Sequence, residues 1–150
     1  MSLGGNLYAL VIVDNFSRYT WNLFLAAKND VFHAFKRLAK MLKNEKSSKI
    51  VSIRSDHGGE FQNERFEHFC EKHGIKHNFS APRTPQQNGV VERKNGSLEE
   101  LAITMLNENS LPMYFWADAV NIACYVLNRV LIRPILKKHP MSFSKEESMF

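Results

Sequence analysis

The sequence predicts an α/β domain in which helices pack on a mixed β-sheet. Three observations carry that expectation. Segments of strand and helical character follow one another as strand, strand, helix, strand, helix, strand, helix, helix, the pattern of an α/β layer. The first helical segment holds Val31, Phe32, Phe35, Leu38, Ala39 and Leu42 in one stripe at helical spacing, so it needs an apolar surface to lie on. A chain of 150 residues, 44% hydrophobic and 23% charged, fits one domain with a sizeable core.

The elements follow in order. Tyr8-Ala9-Leu10-Val11-Ile12-Val13, preceded by Gly4-Gly5, is a β-branched run that reads as a buried strand. Asp14-Asn15-Phe16-Ser17 is turn chemistry, and the aromatic-rich stretch from Tyr19 to Leu25 reads as the antiparallel return strand of a hairpin. A helix is expected from Asp30 to about Lys43, with Asn29 as its N-cap. Lys49 to Ser55 reads as a strand ending at Asp56. Asn63 to His73 reads as a helix with Phe66, Phe69 and Cys70 inward and Gly74 as its stop. Ile75 to Phe79 is a short strand, and Ser80 to Asn88 a loop with two prolines. Long helices are expected from about Gly89 to Asn107 and from about Pro112 to Asn128, with Pro112 in the first turn of the second.

Composition excludes some classes and leans towards others. The net charge of +5 and pI near 9.3 favour a polyanionic partner, although many basic proteins bind none. Cys70 and Cys124 are the only cysteines and lack CxxC spacing, which suits a reducing compartment and buried apolar roles. No apolar run approaches the ~18 residues of a membrane span, and Ser2-Leu3-Gly4-Gly5 lacks the features of a signal peptide. There is no internal repeat and no low-complexity segment.

Two carboxylates stand in distinctive settings. Asp56 lies in Ile53-Arg54-Ser55-Asp56-His57-Gly58-Gly59-Glu60-Phe61, where a strand meets a glycine-rich turn. Glu92 lies in Pro85-Gln86-Gln87-Asn88-Gly89-Val90-Val91-Glu92-Arg93-Lys94-Asn95, in the first turn of a helix. The 35 residues 57–91 separate them. Ligand sites in open α/β sheets favour the carboxyl ends of strands, and two such acids can share hard divalent cations that hold substrate phosphates and water. Taken alone, each has a structural reading that is commoner: Asp before Gly-Gly forms turns, and Glu in a first turn meets the helix dipole.

The wider setting adds a resemblance. Arg54-Ser55-Asp56-x-Gly-x-Glu-Phe, Cys70-x-x-His73-Gly74-Ile75, and Ser80-Ala81-Pro82-x-Thr84-Pro85-Gln86-Gln87-Asn88-Gly89-x-x-Glu92-Arg93-Lys94-Asn95 resemble the catalytic core of copia-type retrotransposon integrases. So do Val13-Asp14-x-Phe16-Ser17-Arg18-Tyr19-Thr20-Trp21, Trp116-x-x-Ala119 and Leu127-Asn128-Arg129, and the likeness covers roughly residues 3 to 140. The resemblance implies a ribonuclease-H-like mixed sheet flanked by helices. It also implies a polynucleotidyl transferase that trims element DNA ends and joins them to target DNA. The implied cofactor is Mg²⁺ or Mn²⁺ on Asp56 and Glu92, which would be catalytic and metal-binding residues together. The implied partners are DNA and further copies in an integrase-type homo-oligomer, with no membrane, and the implied location is intracellular, nuclear where the enzyme functions.

Several departures qualify that expectation. In the family the first catalytic Asp stands on a strand before the Ser-Leu-Gly-Gly turn, and that strand is the centre of the sheet. This chain begins at the turn, so residues 1–140 read as an N-terminally truncated core lacking the first, central strand, inactive as it stands. A non-catalytic nucleic-acid-binding remnant is the alternative, and a structural domain without a ligand is a third reading. Asp14 is assigned to the turn, not to the metal. The family usually has arginine at the position of Gly96, and often at that of Ile103; Gly96 weakens its helix by ~1 kcal/mol and removes a phosphate contact.

Arg83, Arg93 and Lys94 flank the expected site and are the preferred DNA contacts. The eight basic residues between Lys28 and Arg54 read either as a DNA-facing surface or as the solvated face of an amphipathic helix, the second being favoured. The six histidines form no zinc pattern, and His57 reads as a substrate contact or a surface turn residue. The tail 141–150 departs from the family. From Pro140 onward, shifting the reading frame back by one nucleotide permits a Pro-Tyr-Glu-Leu-Phe-Lys-like continuation, so the tail reads as out of frame or as a divergent terminus.

Overall fold

The computed structural model describes residues 1–45, 49–55, 58–79 and 89–130. The expected tail at 141–150 and the loop at 80–88 lie outside them.

The hairpin forms as expected. Strand β1 (Tyr8–Val13) pairs antiparallel with β2 (Thr20–Leu25), from Tyr8 opposite Leu25 to Val13 opposite Thr20. Its turn is built around Asp14, which is buried. The Asp14 carboxylate accepts from the Ser17 N–H at 3.2 Å and the Ser17 hydroxyl at 2.5 Å, and the Asp14 N–H donates to the Tyr19 carbonyl. Arg18 closes the turn at φ 67°, a left-handed conformation held by its N–H donating to the Asp14 carbonyl.

Helix α1 (Val31–Glu45) is entered one turn differently from the expectation. Asn29 does not cap it. A 3₁₀ turn, Lys28–Asp30, leads in, and the Asp30 carboxylate accepts the Ala27 N–H at 3.1 Å. That bond closes the 3₁₀ turn from its far end and leaves the helix without a side-chain cap at Asn29. Lys36, Arg37, Lys40 and Lys43 are exposed along its outer side.

Strand β3 (Ser52–Ser55) is shorter than the expected 49–55. It pairs parallel with β4 (Lys76–Phe79) from Ser52 opposite Lys76, and just before it the Val51 carbonyl accepts the Lys76 N–H at 3.0 Å. Between these strands runs α2 (Glu64–His73). Asn63 caps it, accepting the Phe66 N–H at 3.0 Å, and Gly74 ends it at φ 65°, a left-handed stop that suits glycine.

Helix α3 (Gly89–Glu108) and helix α4 (Trp116–Val130) complete the domain. Pro112 stands outside α4: its ψ of 152° is extended, and a 3₁₀ turn, Met113–Phe115, intervenes before Trp116. Among the described residues no helix is long and apolar enough to cross a membrane.

The hairpin is the middle layer. On one face Leu10, Ile12, Trp21, Leu23 and Leu25 join the core built from α1, α2 and β3. On the other, Val11 packs with Leu98, Ala123 and Cys124 of α3 and α4. Alternation along the strands makes both faces apolar. The architecture is therefore mixed α/β with both strand directions, but the described strands form two separate two-stranded sheets, β1–β2 and β3–β4.

Candidate active site

Strand β3 delivers the candidate site to the sheet's carboxyl end. Ser55, its last residue, is buried, and its hydroxyl lies 2.8 Å from His77 Nε2 on β4. This bond ties the end of β3 to the second residue of β4. Burial among Phe66 and Phe79 lowers the His77 pKa, favouring the neutral ring that can accept the Ser55 proton. Asp56 follows directly in sequence but, with His57 and Arg83, lies outside the described residues.

Beyond it Gly58 starts a turn in which the Phe61 and Gln62 N–H groups both donate to the Gly58 carbonyl, at 3.0 and 2.9 Å. A Cβ on Gly58 would stand 2.7 Å from the Glu60 carboxyl group, so Glu60 folds back over a position where any other side chain would displace it.

Ser55 and Glu92 share one cleft. It encloses about 370 Å³ and is lined by β1 from Tyr8 to Ile12, by Ile53 to Ser55 of β3, by Val31 and Phe35 of α1, by Glu60 and Phe61, and by Val91, Glu92 and Asn95 of α3. Glu92 is exposed to it from the first helical turn, where a negative side chain is favoured by the helix N-terminus. The cleft thus collects the strand end that precedes Asp56 and the carboxylate of Glu92. Asp14 is not part of its lining; its oxygens serve the hairpin turn.

Sequence reasoning assigned no role to Glu60 or Asn95. Asn95 sits three residues after Glu92 and shares its helix face, a relation that spacing alone reveals. Glu60 needed the backward fold over Gly58, which no periodicity encodes.

The expected DNA contacts separate. Arg93 is exposed. Lys94 is half-buried on the other side of α3, among Cys124 and Arg18, and burial pushes its pKa down. Both cysteines are buried and free; burial pushes the Cys70 thiol up to about 11 and raises that of Cys124, so both are apolar fillers rather than nucleophiles.

A metal site requires oxygen donors in one place. Among the described residues no three acidic, histidine or cysteine side chains group together. Glu92 and Glu60 nevertheless offer hard carboxylate oxygens to the cleft in which β3 ends. That donor chemistry fits a hard divalent cation better than zinc, since among the described residues the lining holds no cysteine or histidine.

The geometry agrees with comparisons to known proteins. The integrase core domain family profile matches residues 1–85. The chain is 41% identical over 128 residues to the retrovirus-related Pol polyprotein from transposon TNT 1-94 of Nicotiana tabacum, covering 85% of this chain and 10% of that protein. It is 38% identical over 130 residues to the Pol polyprotein from transposon RE1 of Arabidopsis thaliana, covering 87% of this chain and 9% of that one. The chain therefore spans about a tenth of the length of these relatives.

Among solved structures, the simian T-cell lymphotropic virus intasome in complex with PP2A regulatory subunit B56 gamma matches with a TM-score of 0.71 at 24% identity, over 88% of this chain and 46% of that one. The HTLV-2 integrase catalytic core domain in complex with magnesium, in its trimeric form, matches with a TM-score of 0.66 at 24% identity, over 89% of this chain and 83% of that one. These two establish the shared ribonuclease-H-like fold. With the family profile spanning more than half its length, and plant retrotransposon polyproteins aligned along most of it, the chain belongs to the integrase core domain family, as a retrotransposon integrase catalytic core.

Proposed function

We propose that the chain is a fragment of an integrase catalytic core whose ancestral work is DNA integration, by trimming element DNA ends and joining their 3′ hydroxyls to target DNA. The observation that supports this most directly is the cleft into which Glu92 points and at whose edge β3 ends, one residue before Asp56. In this reading Asp56 and Glu92 hold Mg²⁺ or Mn²⁺, which when bound neutralises charge on the phosphate under attack. The Ser55–His77 bond holds the strand end in place, and Arg93 meets the DNA backbone. Arg83 belongs to the same reading, and Lys94 contributes less because it is half-buried. DNA ends, target DNA and further copies of the chain are the proposed partners, in the nucleus.

Asp56 and Glu92 are the carboxylates that the resemblance assigns to the paired cations. On its own the chain is proposed to be without turnover, because paired cations held by two acids are held weakly. The second reading, a non-catalytic DNA-binding remnant, is favoured by the net charge of +5 and the exposed basic side of α1.

One experiment separates them. The 150-residue chain is incubated with double-stranded DNA and Mg²⁺ or Mn²⁺, and both nicking and binding are followed as salt is varied. No nicking is expected. Turnover abolished by Glu92→Gln would overturn the inactivity and establish the catalytic reading. Salt-sensitive binding without turnover, weakened by removing the basic side chains of α1, selects the remnant.

A further inference from the structure

We infer that Asn95 is a site of spontaneous deamidation. Its side-chain amide is lost as ammonia through attack by the Gly96 main-chain nitrogen, which leaves a new carboxylate on the face of α3 that carries Glu92. The reaction consumes water and needs no enzyme, and it does not depend on metal, on DNA or on the proposed function.

Asparagine followed by glycine is the step at which this chemistry is fastest, because a side chain on the second residue crowds the nitrogen that must attack. The sequence has two such steps, Asn88-Gly89 and Asn95-Gly96. Asn88 lies outside the described residues. Asn95 and Gly96 are both exposed, and Asn95 lines the cleft with Glu92. The Gly96 nitrogen bonds to Cγ of Asn95, the Cγ–Nδ2 bond breaks, and the N–H proton leaves with the amide as ammonia. The cyclic imide so formed takes up a water molecule at either carbonyl. One opening gives aspartate, and the other gives isoaspartate, in which the main chain runs through the former side chain.

Helix α3 restrains this reaction without abolishing it. A helix commits the Gly96 N–H to the carbonyl four residues back, that of Glu92, and holds Asn95 at a ψ that keeps Cγ away from the next nitrogen. Attack therefore waits for a local opening, which three features favour. Glycine is a poor helix former. A Cβ on Gly96 would meet nothing within 4 Å, so no neighbouring element clamps the backbone there. The bond also lies early in α3, close to its start at Gly89, and helices fray from their ends.

Both products change what the cleft presents. Aspartate places a carboxylate three residues from Glu92, on a neighbouring position of the same helix face. Isoaspartate adds a main-chain carbon just behind Glu92 and breaks the hydrogen-bond register of α3 at that point.

The 150-residue chain is incubated at neutral and at alkaline pH, with its fold followed by circular dichroism. Peptide mapping by tandem mass spectrometry separates Asn88 from Asn95, and a protein isoaspartyl methyltransferase counts isoaspartate. The expected result is a mixture of aspartate and isoaspartate at Asn95 in the folded chain. It should form faster at alkaline pH, because the attacking nitrogen must lose its proton, and more slowly than in the same chain unfolded in urea. Gly96→Ala should slow the reaction at least about fivefold, the factor by which alanine makes the opening rarer. An intact Asn95 in the folded chain while the urea sample reacts overturns the inference, since the helix then locks the site. Aspartate without isoaspartate overturns it, because water has then hydrolysed the amide directly. So does an equal rate in Gly96→Ala with unchanged helix content. None of these outcomes bears on DNA nicking, so the inference and the proposed function can fail separately.

Discussion

The two faces of the β1–β2 hairpin are held by different physics. The face towards α1 and α2 meets a cluster of phenylalanines: Phe66 is fully buried and stacks on Phe35 at 5.1 Å, with Phe32 and Phe61 edge-on at 6.2 and 5.8 Å. The face towards α3 and α4 meets Leu98, Ala123 and Cys124 through Val11, and Phe24 meets Trp116 edge-on at 5.7 Å. There, side chains reach the strand's main chain. The Asn128 amide accepts the Thr20 N–H at 2.9 Å and donates to the Thr20 carbonyl at 2.8 Å, standing in for a neighbouring strand at the edge of β2. One face therefore depends on volume, which is non-directional, and the other adds a few directed bonds to its apolar packing.

The largest expected effect tests the aromatic face. Phe66→Ala removes a fully buried ring from the centre of the cluster, and such truncations cost about 3–5 kcal/mol. Urea denaturation of the variant should show that loss. A cost near that of a surface substitution would mean the cluster is loosely packed and the contrast between faces is false.

The second effect is a matched pair on the other face, where two asparagines of β2 and α4 differ in satisfaction. Asn128 is buried with both amide atoms bonded, whereas both amide atoms of Asn22 are buried with no partner among the described residues. Alternation along β2 puts Asn22 on the same side as Thr20. Asn128→Ala should destabilise by about 1–3 kcal/mol, because it strands the Thr20 groups. Asn22→Val should stabilise, by on the order of 1 kcal/mol, because an unpaired buried amide costs more than it returns. If both variants move the denaturation midpoint in the same direction, directed bonding does not govern this face.

A smaller effect is gated by pH. The Cys70 thiol titrates near 11 in the fold against an ordinary value of 9.0. The folded state therefore holds its proton where the unfolded state has lost it, and stability falls as pH rises from about 9 to 11. Cys124 follows in the same direction. The pH slope of stability in that window should be shallower for Cys70→Ala than for the unmodified chain; an unchanged slope would show the thiol is not sequestered.

How far the sequence could be read follows the same division. Helical stripes, the Asn63 cap and the Gly74 stop are local chemistry, and the elements from Glu64 to His73 and from Gly89 to Glu108 appear where the sequence puts them. Entries were less legible, because a 3₁₀ turn, Lys28–Asp30, leads into α1 and ties Asp30 back to the Ala27 N–H, which the local residue types do not announce. The β3 boundary was set by where β4 begins, a pairing 22 or more residues away. At the site, the setting of Glu92 was visible in its motif, whereas the burial of Lys94 was not. Its neighbours Arg18 and Cys124 come from distant parts of the chain, and no window around Arg93-Lys94 contains them.

The smallest effect concerns Gly96, the residue in α3 one turn beyond Glu92. It is helical, its φ is not in the left-handed region, and a Cβ there would meet nothing within 4 Å. No close approach or special backbone geometry requires glycine. Its presence only widens the range of conformations the unfolded chain explores and leaves a weak point in the helix that presents Glu92. Gly96→Ala should therefore stabilise the chain by roughly 0.5–1 kcal/mol. Because the position is on solvent, Gly96→Arg should keep most of that gain while adding a cation on the face of Glu92. Thermal denaturation of the two variants checks the helix argument, and DNA affinity at varied salt checks the charge: only the arginine variant should bind more tightly, with a steeper salt dependence. Destabilisation by alanine would mean that something packs against Gly96, and the case for this position as a mere weak point would be lost.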